Sequence, residues 1–352
     1  MFITGLLVMH APASALNNSG TQEGARTDNT VAVKYIKTKE GKYPYISAQS
    51  FKYWLRTTLE QEPNWKSAPV YREAKIAYPD ANPIKYYDDD LFGYMRAQSK
   101  KADAKKKREE EQRHDETLTD TTITRVAPFR MSTVVSLAPV SIVDDFGTMS
   151  RHEGDPVPHE HQFYRCNMKG LFSLDLKSSG TFSYKEKTGY LNLDNNRIKE
   201  AQELKLIHNE KEKTYQLPIQ DRTERVSTLL KGISVICGGA KQALHYTDVT
   251  PSIIMVMVTK GGNHPLQYII TADSQGLPKV HTEALQEMIN VWGDQIKSRL
   301  YVGWVKGFYD AERENLENIL KSVSSFGFTL GHPKEILEQL ASDLKDNSSW
   351  WE

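Results

Sequence analysis

At 352 residues with 39% hydrophobic content, the chain is too long for one small domain and apolar enough to fold, which predicts a main core carrying insertions. Its formal charge is zero, which argues against a wholesale cationic coat for nucleic acid, yet the charge is polarised: residues 1–60 hold seven Lys or Arg against four acids, and residues 283–352 seven against twelve. Cys166 and Cys237 make no disulfide framework and fit a reducing cytoplasm, and no run approaches the roughly 20 apolar residues that a bilayer span needs.

The opening MFITGLLVM lacks a cationic flank and a cleavage site, so residues 2–10 are expected as a buried first strand of a soluble protein. Turn formers dominate residues 15–30, a loop that includes Asn17, Asn18 and Arg26. Residues 31–36 are expected as a second strand, turning at 39–42 into the stretch PYISAQSFKYWLR. From Ala48 onward, helical spacing puts Phe51, Trp54, Leu55 and Leu59 on one apolar stripe, with Ser47 as N-cap. Gln49, Lys52, Tyr53 and Arg56 then share the opposite face, offering amide, ammonium, phenol and guanidinium side by side.

Residues 57–130 read as an irregular insertion interrupted by Pro63, Pro69, Pro79 and Pro83. Within it, residues 99–116 carry seven basic and six acidic residues and almost nothing apolar, the composition of a solvated segment. Asp88, Asp89 and Asp90 read as a helix start or solvated turn rather than a magnesium site. Residues 134–143 and 162–168 have strand composition around a long polar tip, which describes an extended hairpin; His159 and His161 sit in that tip with no third metal ligand in view. A short hairpin is expected over 205–217, and a helix over 221–237 that stops at GGAKQ. Those glycines, Gly238 and Gly239, can cap the helix or cradle a phosphate with Lys241 beside them. Residues 253–258 and 266–271 are expected to pair across two glycines, followed by helices over 283–300, 312–323 and 333–344. The element order suits an α+β sandwich, most compactly a split β-α-β ferredoxin-like core. No P-loop, dinucleotide fingerprint or nucleophile elbow is present, so neither catalytic residues nor a cofactor or metal is expected.

The stretches MHAP with LNNSG, ISAQSFKYWLR, DDDLFGY, RVAPFRMSTVVSLAP and GGAKQALHYTDVTPSIIMV, in that order, resemble the DevR/Cst-type backbone (RAMP) subunit of a type I CRISPR Cascade complex, with type I-B most similar. The resemblance implies a modified RNA-recognition-motif (RRM-like) palm over 1–56, 131–141 and 164–300. It also implies a finger insertion over 57–130, a thumb hairpin over 142–163 and a C-terminal helical segment over 301–352. It implies a non-catalytic subunit that polymerises along CRISPR RNA beside other Cascade subunits and presents the guide to target DNA, in the cytoplasm and away from membranes. Carried over, Gln49, Ser50 and Lys52 match the positions that grip the RNA backbone, Asn17 and Asn18 the post-strand loop, and Arg130 the arginine before the thumb; Arg26, Tyr53, Arg56, Gly239, Lys241 and Gln242 complete the expected RNA face. Tyr53 and Asn18 stand where relatives often carry basic residues. The rival reading is a metal-dependent ribonuclease of the type III kind, using Asp28 in the first loop.

Overall fold

The computed structural model describes residues 1–21, 30–73, 76–98, 113, 115–151, 153–323 and 326–352. Its centre is the strand Phe2–Ser14, which pairs antiparallel with Ile253–Thr259 on one side and with Val157–Asp175 on the other. Strand geometry sends alternate side chains to opposite faces. Ile3, Leu7 and Met9 therefore enter one core, and Leu6 and Val8 another. Gly5 is required at the crossing of that strand with Val157–Asp175: a Cβ there would lie 2.1 Å from Phe172 Cζ.

Four strands and two helices follow one another as strand, helix, strand, strand, helix, strand. The members are Phe2–Ser14, Ala48–Leu59, the interrupted pair Phe129–Met131 and Val134–Ser136, Val157–Asp175, Ile219–Ser234 and Ile253–Thr259. Side by side, these strands stand in the order fourth, first, third, second. Phe51, Trp54, Leu55 and Leu59 of the first helix share a core with Val226, Leu229, Leu230 and Ile233 of the second. The other face is covered by Thr282–Trp292 and Asp310–Val323 through Leu285, Met288, Leu316 and Leu320. The molecule is thus α+β with a large central sheet.

Several expectations change. Residues 266–271 do not pair with 253–258; Ile270–Ala272 instead pairs with Pro278–Val280 in a separate small sheet. The place beside Ile253–Thr259 is taken by the fully buried Leu300–Trp304, extended by the parallel strand Phe328–Gly331. Residues 301–352 consequently contribute strands to the main sheet as well as the helices Asp310–Val323 and Pro333–Asp346. The expected strand over 134–143 ends at Ser136, because Pro139 cannot donate to a ladder, and a new strand Val143–Met149 begins after it. Val143–Met149 pairs with residues 157–163 of the long strand, so the hairpin arms are longer and its tip shorter than the polar composition suggests. In the first loop, Asn18–Thr21 and Thr30–Val33 pair as strands, and Arg26 and Asp28 lie outside the described residues. The hairpin expected over 205–217 forms, as Ile207–Asn209 with Thr214–Gln216.

Buried ion pairs tie described parts of residues 57–130 to one another and to the helix Ile219–Ser234. Asp88, Asp89 and Asp90 do open a helix, Tyr87–Phe92, but all three are buried rather than solvated. Asp90 accepts from Arg125 and, at 2.8 Å, from Arg225. Arg96 reaches Glu116 at 2.6 Å, which buries one end of the tract expected to be solvated; residues 99–112 and 114 lie outside the described residues. Among the described residues no helix is long and apolar enough to cross a membrane.

Candidate nucleic-acid interface

The helix Ala48–Leu59 begins where the sequence says it should. Ser47 Oγ accepts from Ser50 N at 3.2 Å and so satisfies one of the unpaired donors at a helix start. Ser50 Oγ bonds Ser47 Oγ at 2.9 Å and donates to Asn17 Oδ1 at 3.3 Å, while Asn17 Nδ2 donates to Tyr45 O at 3.2 Å. Asn17 is only 6% exposed. Asn17 and Ser50 therefore meet, as the expected site requires, but their side chains are spent on joining loop, strand and helix. Asn18 is half-buried next door, its Oδ1 without a hydrogen-bond partner.

The outward face divides in two. Gln49 and Tyr53 are exposed, Tyr53 at 67%. Lys52 lies back along the protein: its Nζ donates to Phe129 O at 3.0 Å and sits 5.9 Å from the Phe129 ring centre. Burial, and then the like charge of Arg56, push the Lys52 ammonium down to about 8. Arg56 stacks over Phe92 at 4.5 Å and stands 3.9 Å from Asp88. Arg130 is exposed and follows directly on the carbonyl that Lys52 grips, so the two cations flank one peptide. An ammonium with a depressed proton affinity and one fixed carbonyl partner keeps two donors for an anion. An anion placed there offsets the cost of burying the Lys52 ammonium.

The segment Gly238–Gln242 does not cap the preceding helix, which ends at Ser234 with Val235 as its C-cap. It folds against the first helix instead: a Cβ on Gly238 would lie 2.3 Å from Trp54 Cγ. Gly239 has φ +107°, and its neighbour Ala240 donates to Leu16 O at 3.1 Å, which ties this loop to the loop holding Asn17 and Asn18. Gln242 closes the loop on itself, donating to Gly238 O and accepting from Thr247 N at 2.9 Å, and so serves as a latch. Lys241, at φ +55°, is half-exposed beside it.

Sequence reasoning missed what stands next to Lys241. Phe163 stacks on His245 at 5.1 Å, and the His159 and His161 rings are 4.9 Å apart. Burial, followed by the charges of Lys241, His159 and His245, lowers the proton affinity of His161. The alternation H-E-H-Q-F already places His159, His161 and Phe163 on one strand face; nothing local announces that His245 meets them. Among the described residues no group of three or more His, Cys, Asp or Glu could hold a metal ion.

A family model described as "CRISPR-associated negative auto-regulator DevR/Csa2" matches residues 8–273. No curated protein matches the chain in sequence. A solved chain of a "CRISPR RNA-guided surveillance complex" is similar in structure with a TM-score of 0.52 at 11% identity, covering 97% of this chain and 99% of that one. A chain of a "CRISPR RNA-guided surveillance complex, pre-nicking" gives 0.53 at 10% identity, covering 98% and 100%. At these identities the likeness is one of fold.

Proposed function

The chain belongs to the CRISPR-associated DevR/Csa2 family, and on that footing we propose that it is a non-catalytic, RNA-binding backbone subunit of a type I-B surveillance complex. In this reading it polymerises along the guide RNA with copies of itself and other subunits, and presents that guide to target DNA. The observation that carries the reading is the cationic edge of the first helix, where Lys52 and Arg130 flank the Phe129 carbonyl beside exposed Gln49 and Tyr53. Such groups suit phosphates and 2′-hydroxyls and leave base edges free, which a subunit serving variable guides needs. The strand order fourth, first, third, second supports the ferredoxin-like, RRM-like palm. The hairpin Val143–Met149 with 157–163 supports the thumb, and its exposed Phe146, Met149 and Val157 offer apolar surface for a neighbouring copy to bury. The segment 57–130 serves as the finger. The ribonuclease reading rests on Asp28, outside the described residues, and gains no support from the rest of the chain.

The test is RNA retention by the assembled particle. Gln49→Ala with Lys52→Ala is expected to weaken guide binding by about 10- to 100-fold, the value of one or two charge-assisted contacts, with folding stability lowered by no more than about 1 kcal/mol, the value of the lost Lys52–Phe129 hydrogen bond. Full retention would sink the reading of this helix, and a particle in which the protein stays monomeric on RNA would point to a regulator instead.

The depressed Lys52 ammonium gives a pH signature. A bound phosphate holds the proton on, so affinity is complete below about 8 and declines as pH rises through that value. Titrating RNA affinity between mildly acidic and alkaline pH should show this step in the natural chain and none in Lys52→Arg, whose guanidinium stays charged. A step that survives the substitution would assign it to another group.

A further inference from the structure

Beyond Arg130 the basic edge leads into a cavity of about 230 Å³, bounded by Arg130, Lys177, Lys185 and Tyr190. The Tyr190 ring is 49% exposed. The one acid among the lining residues, Asp175, is already engaged, accepting from Ser178 N at 3.2 Å and Ser178 Oγ at 2.6 Å. Glu212 meets Lys185 at 3.1 Å, but that pair is solvent-exposed and holds the lysine weakly. Arg125 also lines the cavity and is spent inward, on Asp90 and on the carbonyls of Thr181 and Ser178.

The wall that carries Tyr190 is rigid. Gly189, at φ +83°, packs so closely that a Cβ would meet Val126 Cγ2 at 2.7 Å. Its N–H donates to Thr124 Oγ1 at 2.6 Å, and its carbonyl accepts from Val126 N at 3.2 Å and from Asn192 Nδ2 at 3.3 Å. Lys187 stands 4.9 Å from the Tyr190 ring centre, on the same turn. A rigidly mounted, exposed ring beside Arg130, Lys177 and the weakly held Lys185, in a cavity too small for an extended organic ligand, matches one unit of a nucleic-acid strand. The cations suit its phosphodiester and the ring suits its base without selecting which base.

We propose that this cavity receives one nucleotide of a single strand that also passes Lys52 and Arg130, with Lys177 and Lys185 holding its phosphodiester and Tyr190 stacking on its base. The inference rests on the RNA-binding reading above. Guide RNA and the DNA that pairs with it supply the same chemistry, so the test uses both.

The experiment measures fluorescence anisotropy of a labelled single-stranded RNA, and of DNA of the same sequence, against the full chain at several salt concentrations. Lys177→Ala with Tyr190→Ala is expected to bind about tenfold more weakly, with a salt slope shallower by about one ion, while thermal unfolding is unchanged. Tyr190→Phe alone should bind as the natural chain does. A loss confined to RNA assigns the cavity to the guide, and one confined to DNA assigns it to the pairing strand. Undiminished binding of both by the double variant overturns the proposal. If Gln49→Ala with Lys52→Ala loses RNA while the cavity variant keeps both RNA and DNA, the cavity inference alone falls. If the natural chain binds neither strand, the RNA-binding reading falls and takes this inference with it.

Discussion

Asp90→Ala is expected to destabilise the protein by about 3–5 kcal/mol, because it strands two buried guanidinium groups at once. Asp90 is fully buried; it accepts from Arg225 at 2.8 Å, from Gly180 N at 3.0 Å and from Arg125. Arg125 and Arg225 are 6% and 2% exposed, so water cannot take over the lost charge without opening the structure. The three partners come from separate elements: Asp90 from the helix Tyr87–Phe92, Arg125 from the strand Ile123–Arg125, and Arg225 from the helix Ile219–Ser234. Arg225 also reaches the carbonyls of Pro83 and Ile84 at 2.7 and 2.6 Å, which fastens the stretch before Tyr87–Phe92 to the same helix. Urea unfolding reports the loss directly as a lower midpoint. Asp90→Asn should cost less, because the amide still accepts one of the bonds. A loss below about 1 kcal/mol for Asp90→Ala would show that the cluster merely exchanges hydration for pairing, as some buried ion pairs do.

Trp54→Ala is expected to cost about 3–5 kcal/mol and to free the loop that carries Gly239 and Lys241. Trp54 is 6% exposed, sits 6.5 Å from the Phe51 ring and forms the surface on which Gly238 rests. Removing the indole leaves a void that close-packed neighbours fill only in part. The loop then keeps its hydrogen bonds, among them Ala240 N to Leu16 O, Cys237 N to Thr58 Oγ1 at 3.0 Å and the Gln242 latch, but loses the surface it rests on. Hydrogen exchange checks the second half of the prediction: the hydrogen-bonded amides of Ala240 and Thr247 should lose protection in Trp54→Ala and largely regain it in Trp54→Phe. Protection equal to that of the natural chain would mean that the hydrogen bonds hold the loop without the indole. Because this loop joins the one bearing Asn17 and Asn18, RNA affinity should fall with it.

The first helix was legible in the sequence almost to the residue. Its cap, its stripe and its polar face depend on side chains within a turn or two of one another, and the local rules act at that range. The central first strand was legible for a related reason: FITGLLVM has apolar side chains for both faces, so it has no stable place at a solvated edge. The GGAKQ segment was legible as a loop but not as to its use, since a glycine pair reads alike whether it caps a helix, meets a phosphate or, as here, lies on Trp54. The acidic triplet at 88–90 reads as a helix start or solvated turn by composition; Asp90 is buried on Arg125 and on Arg225, 135 residues away, and Asp88 and Asp89 on the amides of Ala68 and Asn82.

The sequence by itself determined the elements that depend on near neighbours: the capped amphipathic helix, the buried first strand and the existence of the long hairpin. Tertiary structure alone decided which strands became neighbours and which polar groups remained available. Backbone ladders carry no sequence label, so Leu300–Trp304, rather than residues 266–271, lies beside Ile253–Thr259 because its two faces match the two cores. The availability of Asn17, Ser50, Gln242 and Lys52 was set by acceptors and donors brought in from elsewhere: a Tyr45 carbonyl, a neighbouring serine, a Thr247 amide and the Phe129 carbonyl. Residue type states what a side chain can bond; only the packed chain determines which bonds it has left for a ligand.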